Sequence, residues 1–429
     1  MNVDPVAIVA TIALFVACSQ GSCQDAPIPL VPDPIAVEST DWPWWRGPNH
    51  DGIAYAGQRP PLEWSTEKNV IWRSEVPGLG HSSPTLVGDF IYLATADVDA
   101  DTQSVLCYDR ITGEPLWHTV VHQGDIISEG NERASPASAT VACDGTQLFI
   151  SFVNRGAVYA SALSRDGDPR WESKISDYVV HQGYGASPAI YQDVVIVNAD
   201  NKGGGAVAAM NRRTGEIVWR LDRPDTPNYA SPITHRVAGR DQLFLVGCDL
   251  VTGLHPRTGE TLWEIEGATT ECVTTTVTDG NLIFTSGGYP DNHVSAVKAD
   301  GSGDVVWRHN VRVYVPSLIA KDGYLYAVLD AGVAMCWESS TGEEIWSERL
   351  HGTFSSSPVM VDDRIFATNE SGKTFVFRAT PAGYERLAEN QLGSHAMATP
   401  VFCHNRIYAR VADGGDGDRQ EMLYCLGIQ

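Results

Sequence analysis

Apolar residues along this chain fall in short runs rich in β-branched and aromatic side chains, separated by Gly, Asp or Asn at hairpin distance. One stretch reads Ser357-Pro358-Val359-Met360-Val361, a turn at Asp362-Asp363, Arg364-Ile365-Phe366-Ala367-Thr368, a turn at Glu370-Ser371-Gly372, then Thr374-Phe375-Val376-Phe377. A fourth run, carrying Trp in most copies, completes the unit. Four strands of ordinary length with their turns need roughly 40 to 45 residues. Helical periodicity is absent outside the N-terminus, so the chain reads as all-β.

Two phrases keep time along the chain. Thr-Gly-Glu-x-x-Trp occurs at Thr112 to Trp117, Thr214 to Trp219, Thr258 to Trp263 and Thr341 to Trp346, with looser copies ending at Trp171 and Trp307. A small residue, Ser or Thr, then Pro precedes an apolar strand at Ser83-Pro84, Ser135-Pro136, Ser187-Pro188, Ser231-Pro232, Ser357-Pro358 and Thr399-Pro400. Degenerate copies stand at Thr274-Thr275 and Ser317-Leu318, which makes eight units spaced by 40 to 52 residues. Eight four-stranded antiparallel sheets set radially form an eight-bladed β-propeller. The last unit offers only three strands, near residues 398–402, 406–411 and 422–426. The run Asn69-Val70-Ile71-Trp72-Arg73-Ser74 resembles a fourth strand without its first three. We therefore expect the N-terminal strand to complete the last blade and protect the seam from edge pairing. The seventh unit lacks Trp in its fourth run, read at residues 384–387. The repeated Trp residues are read as rings that fill the gap between neighbouring sheets.

Composition narrows the function. With 30 basic and 53 acidic residues, the net charge is −23, which argues against nucleic acid and against anionic membrane surfaces. The 12 apolar residues of 6–17 suit a signal-peptide core and are too few to span a bilayer. Phe15-Val16-Ala17-Cys18 partly resembles a lipobox, which makes Cys18 a lipidation candidate. Residues 1–21 are thus expected to direct export, 22–41 to form a Pro-rich tether, and 42–429 to form the propeller. The expected location is the periplasm or, through a lipid anchor, the outer membrane. The nine cysteines show no disulfide-scaffold or Cys-x-x-Cys zinc pattern. Cys107, Cys336 and Cys425 share a third-strand slot and read as small buried apolar residues.

The two phrases together resemble the PQQ-like (pyrroloquinoline-quinone-like) propeller repeat from about Trp72 to Gly427. The lead-in Trp42-Pro43-Trp44-Trp45-Arg46-Gly47-Pro48-Asn49-His50-Asp51-Gly52 is similar to the opening of exported planctomycete-type members. The resemblance implies one of two roles. Quinoprotein dehydrogenases oxidise alcohols or sugars with PQQ and calcium. BamB-type propellers are lipoprotein scaffolds for the outer-membrane barrel-insertion machinery and bind no cofactor. The adjacent Cys pair of alcohol-oxidising members and a Cys-x-x-Cys-His haem motif are both missing from this sequence.

Ligands of propellers sit near the axis, at the loops leading into the innermost strands. Those loops present His81, Arg133, His181, Tyr184, Tyr229, Glu271, Tyr314, Phe354 and His395, a mixed polar and aromatic ring suited to a concave binding surface. Asp97, Asp99 and Asp101 in one loop and Asp413, Asp416 and Asp418 in another are a candidate oxygen cage for calcium. Both loops are expected on the same rim as the ring, in blades that closure makes neighbours. No nucleophile spacing supports catalysis. The sequence therefore favours a monomeric binding or assembly scaffold with protein partners in the envelope or a small ligand. A periplasmic PQQ-dependent or other oxidoreductase, and a polysaccharide-binding propeller, are the alternatives.

Overall fold

The computed structural model describes Met1 and residues 34–127, 130–414 and 419–428. Cys18 and residues 2–33, Asp416 and Asp418 lie outside the described residues. The chain forms eight four-stranded antiparallel sheets. Blade one is typical, with Thr85–Val87 innermost, then Phe90–Asp97, Thr102–Asp109 and the outer Pro115–Gln123. Blade eight comprises Val401–Cys403, Arg406–Asp413 and Gln420–Leu426, and Val70–Val76 adds as its fourth strand. That closing pair sets Trp72 against Cys425. The seventh blade's outer strand is Arg386–Gln391, slightly later than its sequence suggests.

Burial explains the sequence pattern. Middle strands such as Gln147–Asn154 are buried on both faces because each sheet is sandwiched between two others, so they are apolar almost throughout. Outer strands such as Pro169–Asp177 alternate between exposed and covered positions.

The Trp phrase is a packing device between blades. The Trp171 indole N–H donates to Arg212 O (2.8 Å) and that of Trp219 to Pro256 O (3.0 Å), each in the next blade. Trp72, Trp117, Trp307 and Trp346 repeat the bond. In most blades the ring also packs near the second-strand aromatic of its own blade, as in Tyr92–Trp117 at 6.0 Å and Phe284–Trp307 at 6.0 Å, while in blade three Ile196 takes that place beside Trp219. Between them in register is a small third-strand residue: Cys107, Ala162, Ala209, Gly253, Ala296, Cys336 and Cys425 in seven blades. All three of these cysteines are buried free thiols, as their slot implies.

In blade seven the register puts Ala388 where the Trp would stand. Trp64, from the segment ahead of the first strand, supplies the missing indole. Its ring stacks on Phe366 at 6.3 Å, and the Trp64 backbone N–H donates to Asn390 Oδ1 at 2.8 Å.

The second phrase also acquires a meaning. At seven of the eight blade starts a Ser or Thr hydroxyl oxygen accepts the backbone N–H of the equivalent residue one blade back, whereas Thr275 Oγ1 in blade five accepts the Trp45 indole N–H. The links run Ser83→Thr140, Thr140→Ser187, Ser187→Ser231, Thr275→Ser317, Ser317→Ser357, Ser357→Thr399 and Thr399→Ser83, at 2.9 to 3.2 Å. This collar corrects one reading. In blade two the position belongs to Thr140, and Ser135-Pro136 sits earlier, in the rim loop, where Ser135 Oγ accepts from Ala137 N. The Ser-Pro dipeptide there imitates the phrase without occupying its place.

Candidate functional site: a closed axial cup

The lead-in segment builds the floor of the site. Trp42 exchanges backbone hydrogen bonds with Leu86 of blade one (2.9 Å each), and Pro43 O accepts from Cys143 N of blade two (2.8 Å). The Trp45 indole N–H donates to Thr275 Oγ1 in blade five at 2.7 Å. The Arg46 guanidinium, 2% exposed, donates to Leu318 O of blade six (2.5 Å) and Pro358 O of blade seven (3.0 Å). Ala54 N–H then reaches Met360 O of blade seven and the Gln58 amide reaches Phe402 O of blade eight. One segment thus touches innermost strands around the ring and lies across its axis as a plug. Before it, residues 34–41, expected in the tether, are already seated on blade two, where Ala36 N–H donates to Asp144 O at 2.7 Å.

Burial lowers the Arg46 pKa to about 10, because carbonyl oxygens and only a nearby Asp51 charge compensate it. Trp44 and His50 stack at 5.1 Å inside the plug, and burial pulls His50 down to about 3. A protonated imidazole would have no room for hydration there.

Above the plug is a cavity of about 400 Å³, open at the rim where the loops enter the innermost strands. Its floor is the half-buried Trp45, ringed by collar residues such as Ser83, Thr140, Ser187 and Thr399. Of the nine ring candidates, His81, Arg133, Tyr184, Tyr229, Glu271 and Tyr314 line it. His181 stands one contact back, with Nε2 at 3.2 Å from Glu271 Oε1. Phe354 is 1% exposed and packs on Phe375 in the core, so it contributes no wall. His395 is half-buried and pairs through its backbone with Ala412, with Met397 lining the cavity instead.

Glu271 is the cup's central acceptor. It is 3% exposed and receives the Tyr314 hydroxyl at 3.0 Å. Burial first, then this carboxylate, pushes the Tyr314 and Tyr229 phenols well above the ordinary range, so both remain protonated donors. Burial and the nearby Arg410 pull His81 down to about 3, which keeps its imidazole neutral.

Among the lining residues that escaped the sequence reading are Trp45, Tyr289, Arg312 and Asp330. Arg312 lies over the Tyr314 ring at 4.7 Å and donates to Gly288 O. Asp330 accepts Tyr314 N–H at 2.8 Å, and burial raises its pKa. Arg312 and Tyr314 flank Val313 in the loop before Ser317, so strand-like alternation there was the available signal. Trp45 gave none, since its partner is 230 positions away.

The Asp97 to Asp101 loop lies between the second and third strands of blade one. Asp97 Oδ1 accepts Ala100 N–H (2.9 Å) and Asp101 Oδ1 accepts Ile126 N–H (3.1 Å), which makes both loop-shaping groups. Asp413 ends the second strand of blade eight. Among the described residues no three His, Cys, Asp or Glu side chains converge to hold a metal ion.

A family model described as "Outer membrane protein assembly factor BamB" matches residues 101–290 and 290–382, well over half of the chain. The chain belongs to this BamB-type family of PQQ-like propellers. Among curated proteins, the outer membrane protein assembly factor BamB of Yersinia pestis is 23% identical over 377 residues, covering 83% of this chain and 89% of that protein. Among solved structures, BamB from Moraxella catarrhalis superposes with a TM-score of 0.58 at 15% identity, over 84% of this chain and 97% of the other. A europium-containing methanol dehydrogenase superposes at 0.66 with 12% identity, over 91% and 98%. Identities this low make the solved structures evidence of the fold alone. The BamB-type ring explains why dehydrogenases of the same fold superpose on it.

The residues of the cup do not suit a calcium–quinone pair. Calcium takes six to eight oxygens, commonly from several carboxylates, whereas Glu271 is engaged by Tyr314 and His181 and Asp330 by a backbone N–H. PQQ carries three carboxylates. Of the cup's two arginines, Arg133 already faces Glu370 at 3.4 Å.

Proposed function

We propose that this protein is an exported, non-catalytic scaffold of the bacterial cell envelope, working in outer-membrane protein assembly with protein partners. The observation that carries this reading is the match of the ring itself, residues 101–382, to the assembly-factor family. The Yersinia pestis relative, named for that role, supports it over nearly its whole length. A periplasmic location with a lipid anchor at Cys18 fits the N-terminal sequence, and a ring closed by its own first strand fits a monomer. In this reading the cup is the receiving face of the scaffold, because the plug leaves one mouth open to solvent.

The oxidoreductase alternative draws on the superposition with quinone dehydrogenases. Titration with PQQ in the presence of calcium, followed by an artificial-dye assay with alcohols and sugars, separates the two. The scaffold reading expects no dye reduction above the protein-free rate. Stoichiometric PQQ binding with alcohol-dependent dye reduction would overturn it.

A further inference from the structure

We infer that the cup is a binding site for a neutral glycosyl unit, such as the terminal mono- or disaccharide of an envelope glycan. The inference rests on the reading of the ring as a binding scaffold and names the ligand class of its cup.

Three features of the cup support this class. The first is the floor. Trp45 has its indole N–H spent on Thr275, and the ring is only half-buried, so a flat apolar surface opens into the cavity. The C–H face of a pyranose packs on such a surface, and polar side chains around it then meet the hydroxyl groups.

The second is charge balance. The lining carries two carboxyl groups, Glu271 and Asp330, and two guanidinium groups, Arg133 and Arg312; Glu271 accepts the Tyr314 hydroxyl, Arg133 lies beside Glu370, and Arg312 rests on the Tyr314 ring and Gly288 O. His81 is neutral at ordinary pH. The wall therefore offers donors and acceptors of both kinds without surplus charge. A polyanion or polycation would gain little there, while a sugar hydroxyl can donate to Glu271 and accept from an arginine at once.

The third is an orphan group. Tyr229 is 9% exposed, lines the cup, and its hydroxyl lies beside the Gln182 backbone without a hydrogen bond of proper geometry. A buried phenol left unpaired is costly, and a ligand hydroxyl at that point would satisfy it. A cavity of about 400 Å³ holds one or two sugar rings.

The test is calorimetric and tryptophan-fluorescence titration of the intact protein with maltose, cellobiose, lactose and di-N-acetylchitobiose. At least one should bind with a Kd between about 10 μM and 1 mM, the range expected of a small polar ligand. Glu271→Gln should weaken that binding about tenfold or more, and Tyr229→Phe roughly five- to tenfold with the melting temperature unchanged. Failure of all four sugars to bind at about 10 mM, or binding indifferent to both substitutions, would overturn the inference. Such silence leaves the scaffold reading standing, whereas alcohol-dependent dye reduction with PQQ would remove both.

Discussion

Gly259 shows how tightly single residues are held in this ring. Its φ is +72°, and a Cβ there would stand 2.6 Å from the Trp219 indole of the preceding blade. Gly215 repeats the relation with Trp171 at φ +75°. The Thr-Gly-Glu-x-x-Trp phrase thus writes both halves of one contact, the Trp that leaves a blade and the Gly that receives its predecessor's. Gly259→Ala combines left-handed strain with overpacking and should cost roughly 2 to 4 kcal/mol in urea unfolding. The buried histidines give a second expectation. His50 and His293 sit at about 3 and about 4 because burial disfavours their charged forms, and His235 shifts the same way. Their folded pKa values lie below the unfolded value near 6.5. The unfolded chain therefore binds more protons between about pH 4 and 6.5, and stability falls as pH drops through that window. Asp51 and Asp330, whose pKa values are raised, act in the opposite direction as the pH approaches the carboxylate range. Melting temperature measured from pH 7 to pH 5 should decline, and His50→Gln should flatten part of the slope.

At the scale of elements, the strands were legible because a blade sandwiched between blades is apolar in a way that turn residues punctuate. The closing strand was legible for the same reason, since Trp72 carries the repeat's signature. The plug was not. Arg46 meets Pro358 across 312 positions, and Trp42 to Gln58 follow no period, so nothing local announces which carbonyls they will meet. Ser135-Pro136 misled in the other direction, because a two-residue phrase can arise in a loop that never enters the collar. Trp64 is the sharpest case. Its absence from blade seven's outer strand was visible, but its replacement from a segment 302 positions before Phe366 was not. Trp64→Ala should cost about 3 to 5 kcal/mol in chemical denaturation, comparable with Trp219→Ala, because both empty an inter-blade space. A loss below about 1 kcal/mol would mean that the blade seven–eight gap does not depend on that ring.

For the whole molecule, the plug turns a ring with a central channel into a receptacle with one mouth. Six of the nine residues named from the rim loops line it, because loops before successive innermost strands must converge on the axis. The floor and the ion-pair pattern needed three dimensions. The net charge of −23 lies mostly outside the balanced cup and disfavours adsorption to anionic lipid surfaces. The proposed role places the protein among outer-membrane assembly factors. Affinity capture of the tagged full-length protein from envelope extract of its source cell, with quantitative mass spectrometry against an untagged control, tests it most directly. Reproducible enrichment of the barrel-assembly machinery is the expected result. Recovery of the protein without those factors, in a form that carries PQQ and reduces dye with an alcohol, would contradict it.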